Sequence, residues 1–434
     1  MRSEIVSLYM SGRNYVGSVP MLREIQFENW KSYKKASMLF DQLTFLIGTN
    51  ASGKSNALDA LEFLSRISSA SDITSAIVGD SNTVNLRGGL EWITYEGAKN
   101  FTITASVSGE DEKTDYEYSI TVSIDGNTAE LENEELVRVR YQGNAQRRLR
   151  LFWTDAPDGG APGITARLYN TKSGTKQPMR RNLSVLSQLE IYEMREEIKV
   201  AVDHVLQTMR SIFILDPNPS SMRAYSRPSE HLNRDGSNVA GVLAALPDKR
   251  KKIVEDLISR YAAKIPEKDI TRVWAETVDR HGVDAMLYCT ERWNAKRTLE
   301  MDARGLSDGT LRFISVMVAL LTQPERSMIV VEEIDNGLHP SRAMDLLSAI
   351  QDLGSKRKID LLVTTHNVAL LDALPPKMIK SVAVATRNSS SGASEITILE
   401  DLPHLSRLIA EGSLGQLAAR GKIEESIKAQ VRNA

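Results

Sequence analysis

Eight residues constrain this chain more than any other stretch: Gly48-Thr-Asn-Ala-Ser-Gly53-Lys54-Ser55, which follow an apolar strand, Leu43 to Ile47, and open a helix at Lys54. The spacing G-x-x-x-x-G-K-S in a strand, loop and helix setting is the phosphate-cradling Walker A pattern. Small residues let backbone amides curl around phosphate oxygens, and the helix N-terminus adds unpaired N–H groups and the positive end of its dipole. Lys54 is expected to reach the β and γ phosphates of ATP, and Ser55 to place its hydroxyl on Mg²⁺. Gly48, Asn50, Gly53 and Asn56 complete the nucleotide-binding candidates. The bland alternative is a glycine-rich turn with a solvated lysine.

The 434 residues are enough for two or three packed lobes. With 54 basic against 56 acidic residues, no chain-wide positive field advertises nucleic acid, so any such surface is local. A lone cysteine, Cys289, forms neither an intrachain disulfide nor a zinc site, and a reducing, cytoplasmic setting is expected. The longest apolar run, Phe313 to Leu321, falls far short of the roughly 20 residues that span a bilayer, so no membrane role is expected. Residues 1–20 lack a continuous apolar segment and read as a loose arm, with Met21 a second candidate start.

From Met21 the chain reads as a strand (Leu22 to Phe27), a turn (Asn29 to Tyr33), the strand before Walker A, and a helix. Residues 21–100 thus form the N-terminal half of a head. Alternation such as Phe101 to Val107 and Tyr116 to Val122, with a turn at Asp125-Gly126, predicts antiparallel sheet between Phe101 and Tyr169. Apolar spacing from Leu183 to Met209 predicts one helix or two. Residues 101–300 are therefore a compact insert, β-rich and then helical, that partly completes the head and has no long coiled coil. From 301 to 387 helices alternate with buried strands (Met328 to Val331, Leu361 to Thr364), as in a mostly parallel α/β sheet. A tail, 388–434, begins with an exposed loop at Asn388 to Gly392 and is broken at Gly412 to Gly415.

The strand Met328-Ile-Val-Val delivers Glu332 and Glu333 side by side, and such charges are costly to bury without a cation or hydrogen bonds. Downstream of a Walker A they read as Walker B: Glu332 for hydrated Mg²⁺, Glu333 to polarise the attacking water. Leu306-Ser307-Asp308-Gly309 starts an apolar helix about 20 residues earlier, and Ser307 with Gly309 can offer its N-terminus to phosphate, or simply cap the helix. The strand Leu361 to Thr365 ends at His366. Ligands bind at that edge of a parallel sheet.

Together GTNASGKSN, LSDGTLR, VVEEIDNGLHP and VTTHN resemble the ATPase head of the SMC, RecF and OLD superfamily. In that group Walker A, an ABC signature, Walker B with a D-loop and a histidine switch occur in this order. Asn29-Trp-Lys-Ser-Tyr33 resembles the element that precedes Walker A there. The resemblance implies an ABC-like P-loop α/β head built from both chain ends. It also implies a head-to-head homodimer in which Walker A of one subunit and Ser307 with Gly309 of the other sandwich each ATP, Asp335 near the interface and His366 sensing the γ-phosphate. One departure is Glu332 where many relatives carry aspartate, which keeps the metal role with a longer reach. Gln188 is the Q-loop candidate. The nearest likeness is to OLD-like AAA15/AAA21-type ATPases of bacterial antiphage and abortive-infection modules. The stretch after His366 is too short for the Toprim domain of OLD nucleases, so a nuclease or toxin effector is expected on a separate chain.

Arg138, Arg140, Arg147, Arg148 and Arg150 form one basic cluster, and Lys176, Arg180 and Arg181 another. DNA or RNA contact needs several such residues on one face; otherwise they are solvated surface. Five functions compete: an ATP-driven dimer switch for antiphage defence, a RecF-type repair ATPase, a nucleotide-locked scaffold that sequesters a toxin with little hydrolysis, a classical replication-type AAA+, and a transporter's nucleotide-binding subunit. The last is disfavoured by the roughly 250 residues between Ser55 and Leu306.

Overall fold

Short runs of Leu, Ile and Val that are apolar on both faces can hide only in the middle of a layered structure, and here they lie side by side. The strands β10 (Ile212–Leu215), β14 (Met328–Val331), β15 (Asp360–Thr364), β3 (Leu43–Ile47), β16 (Val382–Arg387) and β17 (Ser394–Ile398) form a six-stranded sheet in that order. All neighbours are parallel except β17, which runs antiparallel at the edge. The computed structural model describes residues 21–80, 83–143, 145–263, 270–278, 282–294, 297–334, 340–365, 367–402 and 405–433, with side chains described outside 340–344 and 428–433. The arm 1–20, Asp335 and His366 lie outside the described residues.

An eight-stranded antiparallel sheet covers one side of the molecule: β1 (Leu22–Trp30), β2 (Tyr33–Leu39), β4 (Asn100–Ser108), β5 (Thr114–Asp125), β6 (Thr128–Gln142), β7 (Ala145–Thr154), β8 (Gly163–Leu168) and β9 (Thr175–Arg180), in the order β2-β1-β4-β5-β6-β7-β8-β9. The expected turn at Asn29 to Tyr33 is the tip of the β1–β2 hairpin, with Asn29 and Lys31 both at positive φ. Because β1 pairs with β2 on one side and β4 on the other, this sheet runs across residue 100. A third sheet of β11 (Ile270–Thr277), β12 (Ala285–Asn294) and β13 (Arg297–Asp302) is antiparallel.

Seven helices matter here: α1 (Lys54–Ser68), α2 (Glu196–Arg210), α3 (Asp308–Thr322), α4 (Pro340–Arg357), α5 (Val368–Asp372), α6 (Leu414–Ala419) and α7 (Lys422–Asn433). Alternate residues of the parallel strands divide two cores. Leu46, Val330 and Leu362 face α1, α2 and the large antiparallel sheet. Phe45, Val331 and Val363 face α3, α4 and the C-terminal helices. On the first side Phe63 of α1 stacks edge-on against Phe101 (5.5 Å) beside Trp30, which locks helix to sheet. On the second, α3 is buried from Gly309 to Leu321 except at Arg312, so its apolar run serves a core. No helix among the described residues is long and apolar enough to cross a membrane, and the longest, α4, has 18 residues, which leaves no long coiled coil.

Candidate functional site

The sheet order sets three segments at one edge: the loop after β3, the acidic pair after β14 and the end of β15. Residues 48–53 turn sharply, with Gly48 at φ 141°, Ala51 at 61° and Gly53 at 109°. A side chain at Gly48 would put its Cβ 2.2 Å from Ala385 O, and one at Gly53 would lie 2.5 Å from Ser394 Oγ, so neighbouring strands press on the loop and both glycines are required. Tyr33 donates from its buried hydroxyl to Gly53 O (2.9 Å), Trp30 Nε1 donates to Asn56 O (2.7 Å), and Asn56 Nδ2 donates to Ser32 Oγ (2.7 Å). The Asn29 to Tyr33 element therefore braces Walker A from behind. Asn56 acts here through that brace, while Asn50 is exposed and Ser55 half-buried at the start of α1.

Lys54 is buried, and its ammonium donates to Gly48 O (2.7 Å) and Thr49 O (2.9 Å), folded back across the loop. Burial lowers its pKa, while the charges of Glu333 and Glu424 act the other way. Ser52 Oγ is buried inside the loop with no hydrogen-bond partner. A glycine cradle, a folded-back lysine and an orphaned hydroxyl are the donor set that phosphate oxygens fit.

At the end of β14 the two glutamates differ. Glu333 is exposed, at φ 46°, and its N–H donates to Thr364 Oγ1 (2.9 Å), which ties Walker B to β15. A left-handed backbone at a non-glycine residue costs roughly 1–2 kcal/mol, strain typical of functional turns. Glu332 is half-buried. Burial raises its pKa, and Arg87 opposes the rise by giving Nη2 to both carboxylate oxygens (2.5 and 2.8 Å). Arg234 Nη2 adds 3.2 Å to Oε1 and its other end pairs with Glu62 of α1. Behind Arg87, Asp59 is shared with Lys31, at 3.6 and 2.5 Å. A Mg²⁺ ion suits the donor chemistry of Ser55 and Glu332, since it favours one or two carboxylates or hydroxyls together with phosphate. Arg87 and Arg234 were missed from sequence; Asn85-Leu-Arg-Gly-Gly89 carried a hint, an arginine before a glycine pair in a polar loop.

The other candidates fall elsewhere. Ser307 caps α3, its Oγ accepting from Thr310 N (3.1 Å), and with Asp308 it is exposed. Asp308 binds Arg223 (2.6 Å), and Gly309 is buried. Gln188, the Q-loop candidate, pins β9: its amide accepts from Arg180 N and donates to Arg180 O. The five arginines do not form one patch. A register shift between Leu136 and Val137 leaves Arg140 opposite Arg147, with Arg138 on their face, while Arg148 and Arg150 alternate to the other. Arg138 pairs with Glu197, Arg148 with Glu117, and Arg150 lies over Trp153. Arg181 is buried on Leu131 O and Glu130, a structural residue.

Residues 43–372 match a family model described as "AAA domain, putative AbiEii toxin, Type IV TA system". Among solved structures, an SMC head bound to the C-winged helix domain of ScpA is similar at 16% identity, over 87% of this chain and 98% of that one, with a TM-score of 0.47. An SMC head domain from Thermotoga maritima has 14% identity, the same two coverages and a TM-score of 0.40. An SMC head with an extended coiled coil from Pyrococcus furiosus, bound to the C-terminal domain of ScpA, has 13% identity over 91% and 99%, with a TM-score of 0.45. No curated protein matches.

Proposed function

Given that the chain belongs to the AAA_21 family of AAA domains, with an ABC-like ATPase head, we propose that it binds and hydrolyses Mg-ATP to drive a homodimer switch in a cytoplasmic antiphage module with a separate effector. The observation that carries this reading is the single sheet edge that holds the braced glycine loop, Lys54 and the Glu332–Glu333 pair. Lys54 exchanges its two loop carbonyls for the β and γ phosphates. Glu333 orients the attacking water and takes its proton as the γ-phosphoryl departs, and Ser307 and Gly309 of a second subunit close over the same phosphate. Mg²⁺, when bound through Ser55 and Glu332, neutralises phosphate charge. Asp335 is assigned to the dimer interface and His366 to sensing the γ-phosphate.

Glu333→Gln keeps shape and removes the base. Steady-state turnover is expected to fall roughly 10²- to 10⁴-fold with ATP binding retained, and light scattering to show a dimer that persists in ATP. Unchanged turnover would remove Glu333 from the chemistry, and turnover lacking in both proteins with constant mass would favour the nucleotide-locked scaffold. Arg138, Arg140 and Arg147 share the face on which DNA or RNA is assigned, and added DNA stimulating turnover is the expected sign.

A further inference from the structure

The parallel strands have a second end. Opposite Glu332, at the starts of β14 and β15, a cavity of about 410 Å³ lies between the parallel sheet, α2 and the β4–β5 turn. The length of β14 puts it roughly 13 Å from the acidic pair, clear of the glycine loop. Most polar groups in its wall are already matched. Arg23 donates to Ser108 Oγ (2.9 Å) and pairs with Asp115 (3.0 Å), His204 Nε2 donates to Ser108 O (2.6 Å), and Glu110 accepts from the Tyr116 hydroxyl (2.7 Å). Asp111 and Glu112 of the turn are exposed to water.

Three lining charges stand apart from these. Asp360 is only 4% exposed, and the one hydrogen bond that its carboxylate receives among the described residues comes from the neutral Met21 N–H (2.7 Å, to Oδ2). Burial pushes its pKa up to about 8, and only that N–H opposes the rise. A buried carboxylate matched so poorly is costly until a cation completes it. Arg326 and Lys358 each stand two residues before a strand, and the pairing of Met328 with Asp360 sets them side by side. Both are exposed with left-handed backbone (φ 58° and 54°), and neither side chain has an ion pair or hydrogen bond among the described residues. Adjacent like charges repel, and left-handed residues other than glycine cluster where ligands are clamped.

We propose that this cavity binds a small zwitterion, of amino-acid or dipeptide size, whose ammonium sits on Asp360 and whose acid group sits between Arg326 and Lys358. The volume is that of a small-molecule site. The ammonium donates to the Asp360 oxygen that Met21 leaves unused, which turns a poorly matched carboxyl into a paired ion. The acid group accepts from two cations at once and relieves their repulsion. A ligand with one charge leaves one of the two seats unmatched, so the site selects for both.

The test uses the full chain without nucleotide and titrates glycylglycine, 4-aminobutyrate and 6-aminohexanoate by calorimetry, with hexylamine and hexanoate as singly charged controls. At least one zwitterion is expected to bind, one per chain, with Kd on the order of 0.1–1 mM, and the controls at least about tenfold more weakly. Asp360→Asn, which keeps shape, should weaken that zwitterion roughly tenfold, and so should Arg326→Met combined with Lys358→Met. Lys356→Met, at an exposed residue paired with Asp352, should change nothing. The double Met variant alters only the surface and reports on the site even if Asp360→Asn folds poorly. Either control binding as tightly as the best zwitterion would overturn the proposal, as would binding that neither cavity variant weakens, or no binding at all.

Discussion

Two carboxylates, Glu134, buried in the large antiparallel sheet, and Glu332, half-buried at the parallel sheet's edge, meet desolvation in opposite ways. Glu134 is completely buried and is held by neutral dipoles: the N–H groups of Val185 (2.6 Å) and Leu186 (2.8 Å), and the hydroxyl of Tyr118 (3.0 Å). Burial still pushes its pKa up to about 7. Glu332 is held by full charges on Arg87 and Arg234, two side chains that are 40% and 32% exposed. Fixed backbone donors belong to the fold and cannot leave, whereas half-exposed guanidiniums can swing into water and give way to another cation. Burial alone therefore does not mark a working carboxylate; what matters is whether its partners can be exchanged.

The sharpest way to break this contrast is to truncate both residues. Glu134→Ala leaves two N–H groups and a buried hydroxyl unpaired and should cost about 3 kcal/mol or more, read as a lower urea midpoint. Glu332→Ala should stay within about 1 kcal/mol of wild type, because its arginines can be hydrated, yet lose Mg-dependent turnover. Equal losses of stability would erase the distinction. A smaller effect lies in pH. A carboxyl bound more tightly to its proton in the folded state, at about 7 against 4.5, contributes stability that is complete below pH 4.5 and is lost as pH rises through 7. Glu134→Gln cannot ionise, so its melting temperature should fall less than the wild type's between pH 4.5 and 7. Parallel curves would assign the slope to other groups.

The same contrast separates what was legible in the sequence from what was not. Leu43 to Ile47 and Met328 to Val331 were readable to the residue, because a strand buried on both faces must be apolar throughout. The motifs at their ends followed from the strands. Partners supplied by loops were not readable. Arg87 and Arg234 reach Glu332 only because two loops pack beside α1, and no local periodicity encodes that. The β1–β2 hairpin read as a bare turn because Tyr33 to Leu39 carries Lys34, Lys35 and Ser37 on a half-exposed strand. Whether the arginines share a face was not readable either, because one bulge, between Leu136 and Val137, decides it.

The smallest expected effect concerns Arg234, and it tests whether the partners of Glu332 are truly exchangeable. Arg234 bridges Glu62 on α1 to Glu332, but only one of its nitrogens reaches Glu332, at 3.2 Å, while Arg87 engages both oxygens. Arg234→Met keeps much of the aliphatic bulk and removes the weaker of the two competing cations. If Mg²⁺ must displace guanidinium charge to reach Glu332, the Mg²⁺ concentration for half-maximal turnover should fall, by about threefold, since the bidentate Arg87 contact persists. A higher requirement would instead make Arg234 part of what positions Glu332 for the ion. An unchanged one would mean that Glu332 binds no metal, which would make its arginines as structural as the backbone donors around Glu134.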